Sequence, residues 1–208
     1  MFSKILVPLD GSALAENALA PASALARVGQ GQIILLRVPE SSLLHIPELH
    51  VHNIHYPEQA WDHSYNCREY LNTLRFGRRH IAPDVEIQTR VISGDVASVI
   101  VDSAVDEDVD LIVMSTHGRS GFNRWVYGSV TEKVLRQAPC PVLVVRSQQP
   151  VERVLITLDG SALSERALEP GLAVARAFDA RVTLLRVEGA PELVDVQEVA
   201  AIDRLEPG

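Results

Sequence analysis

Lys4–Val38, KILVPLDGSALAENALAPASALARVGQGQIILLRV, returns 149 positions later as Arg153–Val187, RVLITLDGSALSERALEPGLAVARAFDARVTLLRV. No gap interrupts the correspondence, and about half of the positions coincide, the run LDGSAL among them. A solenoid repeats every 20 to 50 residues or so; an offset this long reads as a duplicated folding unit. Each copy opens on an apolar run, Ile5–Leu9 or Val154–Leu158, that predicts a strand buried on both faces. Asp-Gly-Ser then turns the chain, Ser12 is a good helix N-cap, and Leu14, Ala18, Leu19, Ala22 and Leu25 fall on one helical face. Gln32–Val38 supplies a second buried strand, and such a strand-helix-strand crossover lays its strands parallel with a right-handed connection.

Outward from that unit, Val85–Val91 reads as a third strand, and Gly94 and Asp95 turn it into a helix from Val96 to about Val105. Asp110–Met114 is the fourth strand. A helix from Ser129 to Gln137 stops before Pro139, because the residue preceding proline disfavours the α region, and Pro141–Arg146 is the fifth strand. Strands alternating with helices predict an α/β fold with a parallel sheet covered on both faces. The expected organisation is a complete domain over 1–146, a polar linker over 147–152, and an incomplete second copy over 153–208. After Val187 only Glu188–Gly208 follow, so the second copy holds the first crossover and exposes a strand edge. It reads either as a shortened product or as a unit that borrows strand pairing from a partner.

The 208 residues are 47% apolar and 22% charged, which excludes disordered, collagen-like and disulfide-scaffold classes. A formal charge of -8 opposes sequence-independent contact with nucleic acid or an anionic membrane. No apolar run approaches the roughly 18 to 20 residues of a membrane helix, and Ile5–Leu9 is too short for a signal-peptide core, so a cytoplasmic protein is expected. Cys67 and Cys140 lie far apart and read as reduced thiols. His45, His50, His52, His55 and His63 cluster in a stretch of loop character, but their spacing matches no standard zinc site, and no metal is expected.

Chemistry concentrates in Asp110–Glu132, DLIVMSTHGRSGFNRWVYGSVTE, a buried strand passing through a glycine-punctuated loop into a helix. Ligands of open α/β sheets sit outside the carboxyl ends of the strands, where Leu9-Asp10-Gly11-Ser12 and Met114-Ser115-Thr116-His117-Gly118 both fall. Ser129-Val130-Thr131-Glu132 fits a capping box with Ser129 at the N-cap, and the helix start is either an anion site or an ordinary capped end. His117, Arg119 and Arg124 either meet phosphate or stay solvated; Asp10 accepts from a ligand, binds a metal through water or stabilises the turn. Neither G-x-x-x-x-G-K-[ST] nor G-x-G-x-x-G occurs after a strand, and no nucleophile, base and orienting acid assemble into a catalytic set.

At these residues the sequence resembles the universal stress protein family, whose pattern is G-x-x-G, nine residues, then G-[ST]. Ser115-Thr116-His117-Gly118, Arg119 to Tyr127, and Gly128-Ser129 reproduce that spacing, with Ser115 in place of the first glycine. The resemblance implies a flavodoxin-like, doubly wound sheet of five parallel strands in order 3-2-1-4-5. It also implies ATP, alone or with Mg²⁺, at the switch between strands 1 and 4. Carried over, Pro8, Leu9 and Asp10 lie by the adenine and ribose, the Val38 backbone reads the adenine edge, and Met114 and Ser115 line the pocket. Gly118, Gly128, Ser129 and Val130 cradle the phosphates, assisted by His117 and Arg119. The family further implies a homo-oligomer through the last strand, Pro141–Arg146, a place that the second copy could take within one chain. The implied role is a nucleotide-tuned regulator in stress adaptation; a slow ATP hydrolase or phosphotransferase and a nucleotide-free dimeric interaction module are the alternatives.

Overall fold

The computed structural model describes residues 2–39, 58–78, 80–116, 128–147 and 149–186. The first copy runs β1 (Lys4–Leu9), α1 (Ala13–Glu16), α2 (Leu19–Gly29), β2 (Gln32–Arg37), α3 (Glu58–Gly77), β3 (Glu86–Val91), α4 (Val96–Asp106), β4 (Leu111–Ser115), α5 (Ser129–Gln137) and β5 (Val142–Val145). Its strands form one sheet in the order β3-β2-β1-β4-β5, and every pair is parallel. Two-residue alternation sends successive side chains of a strand to opposite faces, so a strand covered on both sides is apolar throughout. Ile5, Val7 and Leu9 of β1 pack with Ile33 and Leu35 of β2 against α2 and α3; Leu6, Ile34 and Leu36 pack against α4 and α5. The sheet is therefore doubly wound, with one core on each face, as expected.

Local details depart from the sequence reading where a backbone bond is missing or a face is shared. Ser12 does cap a helix, accepting from the Ala15 amide at 3.1 Å, but that helix is the single turn α1. Pro21 has no N–H to give the carbonyl of Asn17, so the ladder lapses and α2 starts afresh at Leu19. Leu14, placed on the apolar face, lies on α1 and is exposed, whereas Ala18, Leu19, Ala22 and Leu25 are buried as expected. α3 occupies the end of the stretch read as loop and includes His63. Its buried Cys67, Leu71 and Leu74, spaced i, i+4, i+7, are the helical signal, diluted by the polar residues around them. His45, His50, His52 and His55 lie outside the described residues.

The second copy repeats the opening unit as β6 (Arg153–Leu158), α6 (Ala162–Glu165), α7 (Leu168–Phe178) and β7 (Arg181–Arg186). β6 and β7 pair in parallel as a separate two-stranded sheet, in the register that β1 and β2 use. Among the described residues β7 is the strand neighbour that β6 has. α7 lies against α2, and Ala173, Val174, Ala177 and Phe178 pack onto the core of the first copy. Since α2 and α7 are corresponding helices of the repeat, the two copies meet through equivalent elements.

Candidate functional site

The strand order reverses at β1, because the chain leaves β1 for β2 on one side and returns to β4 on the other. Loops above that point must diverge, which opens a crevice at the carboxyl ends of the strands. A cavity of about 340 Å³ occupies it, lined by Pro8, Leu9, Asp10, Ala15, Leu36, Arg37, Val38, Val96, Ile100, Met114, Ser115, Val130 and Thr131. The lining is chiefly apolar, with polar groups from Asp10, Arg37, Ser115 and Thr131 at its edges. That is the usual make-up of a small-molecule site: apolar walls for a ring, and a few polar groups for orientation.

One rim is the turn after β1. Gly11 takes a positive φ of 81°, and the Asp10 carboxylate accepts from the Ser12 amide at 2.9 Å, an Asx turn that holds the loop over the crevice. Arg37, at the end of β2, donates from Nη1 to the carbonyl of Leu9 at 3.3 Å and braces the same turn. Behind it the Tyr70 hydroxyl of α3 donates to Glu16 of α1 at 3.2 Å. Burial, then the Glu16 carboxylate, raises the Tyr70 pKa well above the ordinary phenol value, so the hydroxyl stays a donor at physiological pH.

The opposite rim joins the end of β4 to the start of α5. The amide of Gly128 donates to the carbonyl of Thr116 at 3.1 Å, and a Cβ at Gly128 would stand 3.3 Å from that oxygen, so the close approach favours glycine. The capping box read at Ser129 does not form. Gly128 is the N-cap, with extended dihedrals and no side-chain cap bond, and Ser129 is the first helical residue. The helix opens one residue earlier than a Ser129 cap implies, because the Gly128 carbonyl already accepts from the Glu132 amide at 3.0 Å, and helix geometry leaves the amides of Ser129, Val130 and Thr131 without intrahelical acceptors. Thr131, buried, turns its hydroxyl back toward the carbonyls of Ser115 and Thr116.

Of the residues named from sequence, Pro8, Leu9, Asp10, Val38, Met114, Ser115 and Val130 line this one cavity. Gly128 and Ser129 stand beside it at the opening of α5 but are not part of the lining. His117, Gly118 and Arg119, with Arg124, lie outside the described residues. Sequence reading missed Ala15, Leu36, Arg37, Val96 and Ile100. Leu36 and Arg37 could have been found, because the run Leu35–Val38 recurs unchanged as Leu184–Val187. Among the described residues no cluster of three or more His, Cys, Asp or Glu could hold a metal ion.

Comparison with known proteins agrees with this architecture. The family model for the universal stress protein family matches residues 1–146. The chain belongs to the universal stress protein family. Universal stress protein YxiE of Bacillus subtilis (strain 168) is 33% identical over 149 residues, which are 70% of this chain and 100% of that protein. Universal stress protein UspA from Lactobacillus plantarum, a solved structure, superposes with a TM-score of 0.57 at 25% identity, covering 70% of this chain and 98% of its own. A universal stress protein from Archaeoglobus fulgidus DSM 4304 matches 98% of this chain and 75% of its own, with a TM-score of 0.67 at 22% identity. That last likeness is one of fold, and it extends over the second copy as well as the first. Membership fits a role in the response to stress, and no helix among the described residues is long and apolar enough to cross a membrane.

Proposed function

We propose that the first copy binds ATP in the crevice above β1, β2 and β4 and that the nucleotide acts as a regulatory ligand. The observation that carries this reading is the cavity itself, which gathers Pro8, Leu9, Asp10 and Val38 from one side of the switch and Met114, Ser115 and Val130 from the other. The adenine lies on the apolar walls, with its edge toward the Val38 backbone and the ribose toward Asp10. The phosphates lie toward the opening of α5, where the amides of Ser129 and Val130 and the positive end of the helix dipole favour an anion. His117, Gly118 and Arg119 belong to that phosphate end in this reading.

Asp10 is the only carboxylate in the lining and already receives the Ser12 amide, so the described residues assemble no oxygen-rich Mg²⁺ site. Mg²⁺, where it accompanies the ligand, is held by the phosphates. The site is proposed for the first copy, where β4 and α5 stand. The reading also places the protein in the cytoplasm and keeps a second copy at the outer edge of β5, which has no strand partner there among the described residues.

Calorimetric titration of ATP into the full chain tests the proposal, with Gly128→Val as the control. Saturable heat is expected from the parent and at least about a tenfold weaker affinity from the variant, since the added side chain presses on the Thr116 carbonyl. No heat from the parent ends the nucleotide reading. The sedimentation mass of the same sample decides between dimer and monomer.

A further inference from the structure

The two segments that frame the second rim of the crevice, the β4 end and the α5 opening, are 12 or more residues apart in sequence, so something must hold them in register. Two such joints are seen among the described residues. One is the Gly128 amide on the Thr116 carbonyl. The other is the hydroxyl of Thr131, which sits 3.3 Å from the carbonyl of Ser115 and 3.4 Å from that of Thr116. Thr131 is buried and lines the cavity.

Its placement on the helix explains why this side chain can do both. Gly128 is the N-cap, so Thr131 is the third helical residue: its amide has no intrahelical acceptor, while its β-branched side chain has few rotamers to choose from. The hydroxyl has one proton to offer two carbonyl oxygens, and both separations are long for an O–H···O bond. The arrangement is a shared, adjustable bond across two successive peptides. Valine has the same shape and no donor, so it would leave the packing in place and remove the joint. Serine keeps the donor and loses a methyl group.

We propose that Thr131 is a positioning residue for the ligand: its buried hydroxyl ties the peptides that leave β4 to the first turn of α5, so that the Ser115 end of the strand and the amides of that turn face one phosphate chain. The inference rests on the nucleotide reading and adds a residue to it. In that reading the adenine lies by Pro8, Leu9 and Val38, while the Thr131 hydroxyl lies by the Ser115 and Thr116 carbonyls. Its effect therefore falls on the phosphate part of a ligand and spares the base and ribose.

The test is calorimetric binding of ATP and of adenosine to the full-length parent, Thr131→Val and Thr131→Ser. For Thr131→Val, ATP affinity is expected to fall about threefold to tenfold, the worth of one modest hydrogen bond, while adenosine affinity changes less than about twofold. Thr131→Ser is expected to recover most of the loss. Hydrogen exchange of the Gly128 amide supplies a readout that needs no ligand, and it should quicken in Thr131→Val and return in Thr131→Ser. Equal losses for ATP and adenosine, or unchanged ATP binding, overturn the inference and leave the nucleotide reading standing. A parent that binds neither compound overturns both. Should Thr131→Val fail to fold, Thr131→Ser carries the same comparison, and a serine variant with parental folding but lost ATP binding also overturns it.

Discussion

Leu6 and Leu155 are the same residue of the repeat, and one is fully buried while the other is 58% exposed. Leu36 and Leu185 form a second such pair, at 0% and 42%. Strand, helix, turn and register are alike in the two copies, down to the Asx turn: Asp10 accepts from Ser12 at 2.9 Å, and Asp159 accepts from Ser161 at 2.8 Å. What differs is the company. In the first copy β4 pairs with β1 and α4 and α5 cover the face that carries Leu6 and Leu36; in the second, no described element takes those places. A strand-helix-strand unit is thus specified locally, whereas burial comes from segments far along the chain. The second copy shows an adaptation: Phe178 stands where the first has Gly29, a glycine whose Cβ would overlap the Phe2 carbonyl, and Phe178 instead packs onto the core of the first copy.

The contrast can be broken most directly at the leucines. Leu6→Ala is expected to cost about 2–5 kcal/mol as a cavity in a closed core, and Leu155→Ala less than about 0.5 kcal/mol. Urea unfolding of both variants measures the difference, and comparable losses would mean that the second sheet is covered after all. A smaller effect is expected where the copies agree. Gly11 and Gly160 both hold φ above +80°, so an alanine at either position should cost about 1–2 kcal/mol locally through backbone strain. Arg186 lies 3.2 Å from a Cβ at Gly160 against 3.9 Å for Arg37 at Gly11, and hydrogen exchange of the two turns would show whether that tighter fit matters.

The smallest effect is a proton. Hydrogen bonds from the Ser161 side chain and amide, and from Ser164, hold the Asp159 carboxyl down at about 2. A carboxyl depressed on folding adds stability above its unfolded pKa, near the ordinary 3.8, and loses it as pH falls through the folded value. The second turn should therefore loosen between about pH 4 and pH 2, seen as a titration of the Ser161 amide shift. A midpoint near 4 would show that the turn is not held in solution.

How much of this could be read beforehand follows the same division. The parallel strands were legible from their two-sided apolar runs, α4 from the Gly94-Asp95 turn and the apolar spacing after it, and the end of α5 from Pro139. α3 was not, because its buried Cys67, Leu71 and Leu74 are interleaved with polar residues and with exposed aromatics such as Tyr65 and Phe76 that blur the helical period. In the site, residues next to a turn or motif were legible: Asp10 follows a strand, and Val130 follows Gly128-Ser129. Val96 and Ile100 read as ordinary helix residues. Only the folding of α4 and α5 over the β4 end turns them toward the crevice. The Ser129 cap failed because the Gly128 carbonyl takes the first helical bond, from the Glu132 amide, which puts Ser129 inside the helix rather than at its boundary.

By itself the sequence determined the duplicated unit, the parallel order of its strands and the turn at Asp-Gly-Ser, since each depends on dihedral preferences and on periodicity within about 35 residues. The tertiary structure alone decided which leucines are buried, that α7 docks on α2, and which side chains share the cavity. Those outcomes depend on contacts between segments tens of residues apart, and solvent exclusion is a property of the assembled layers rather than of any one residue.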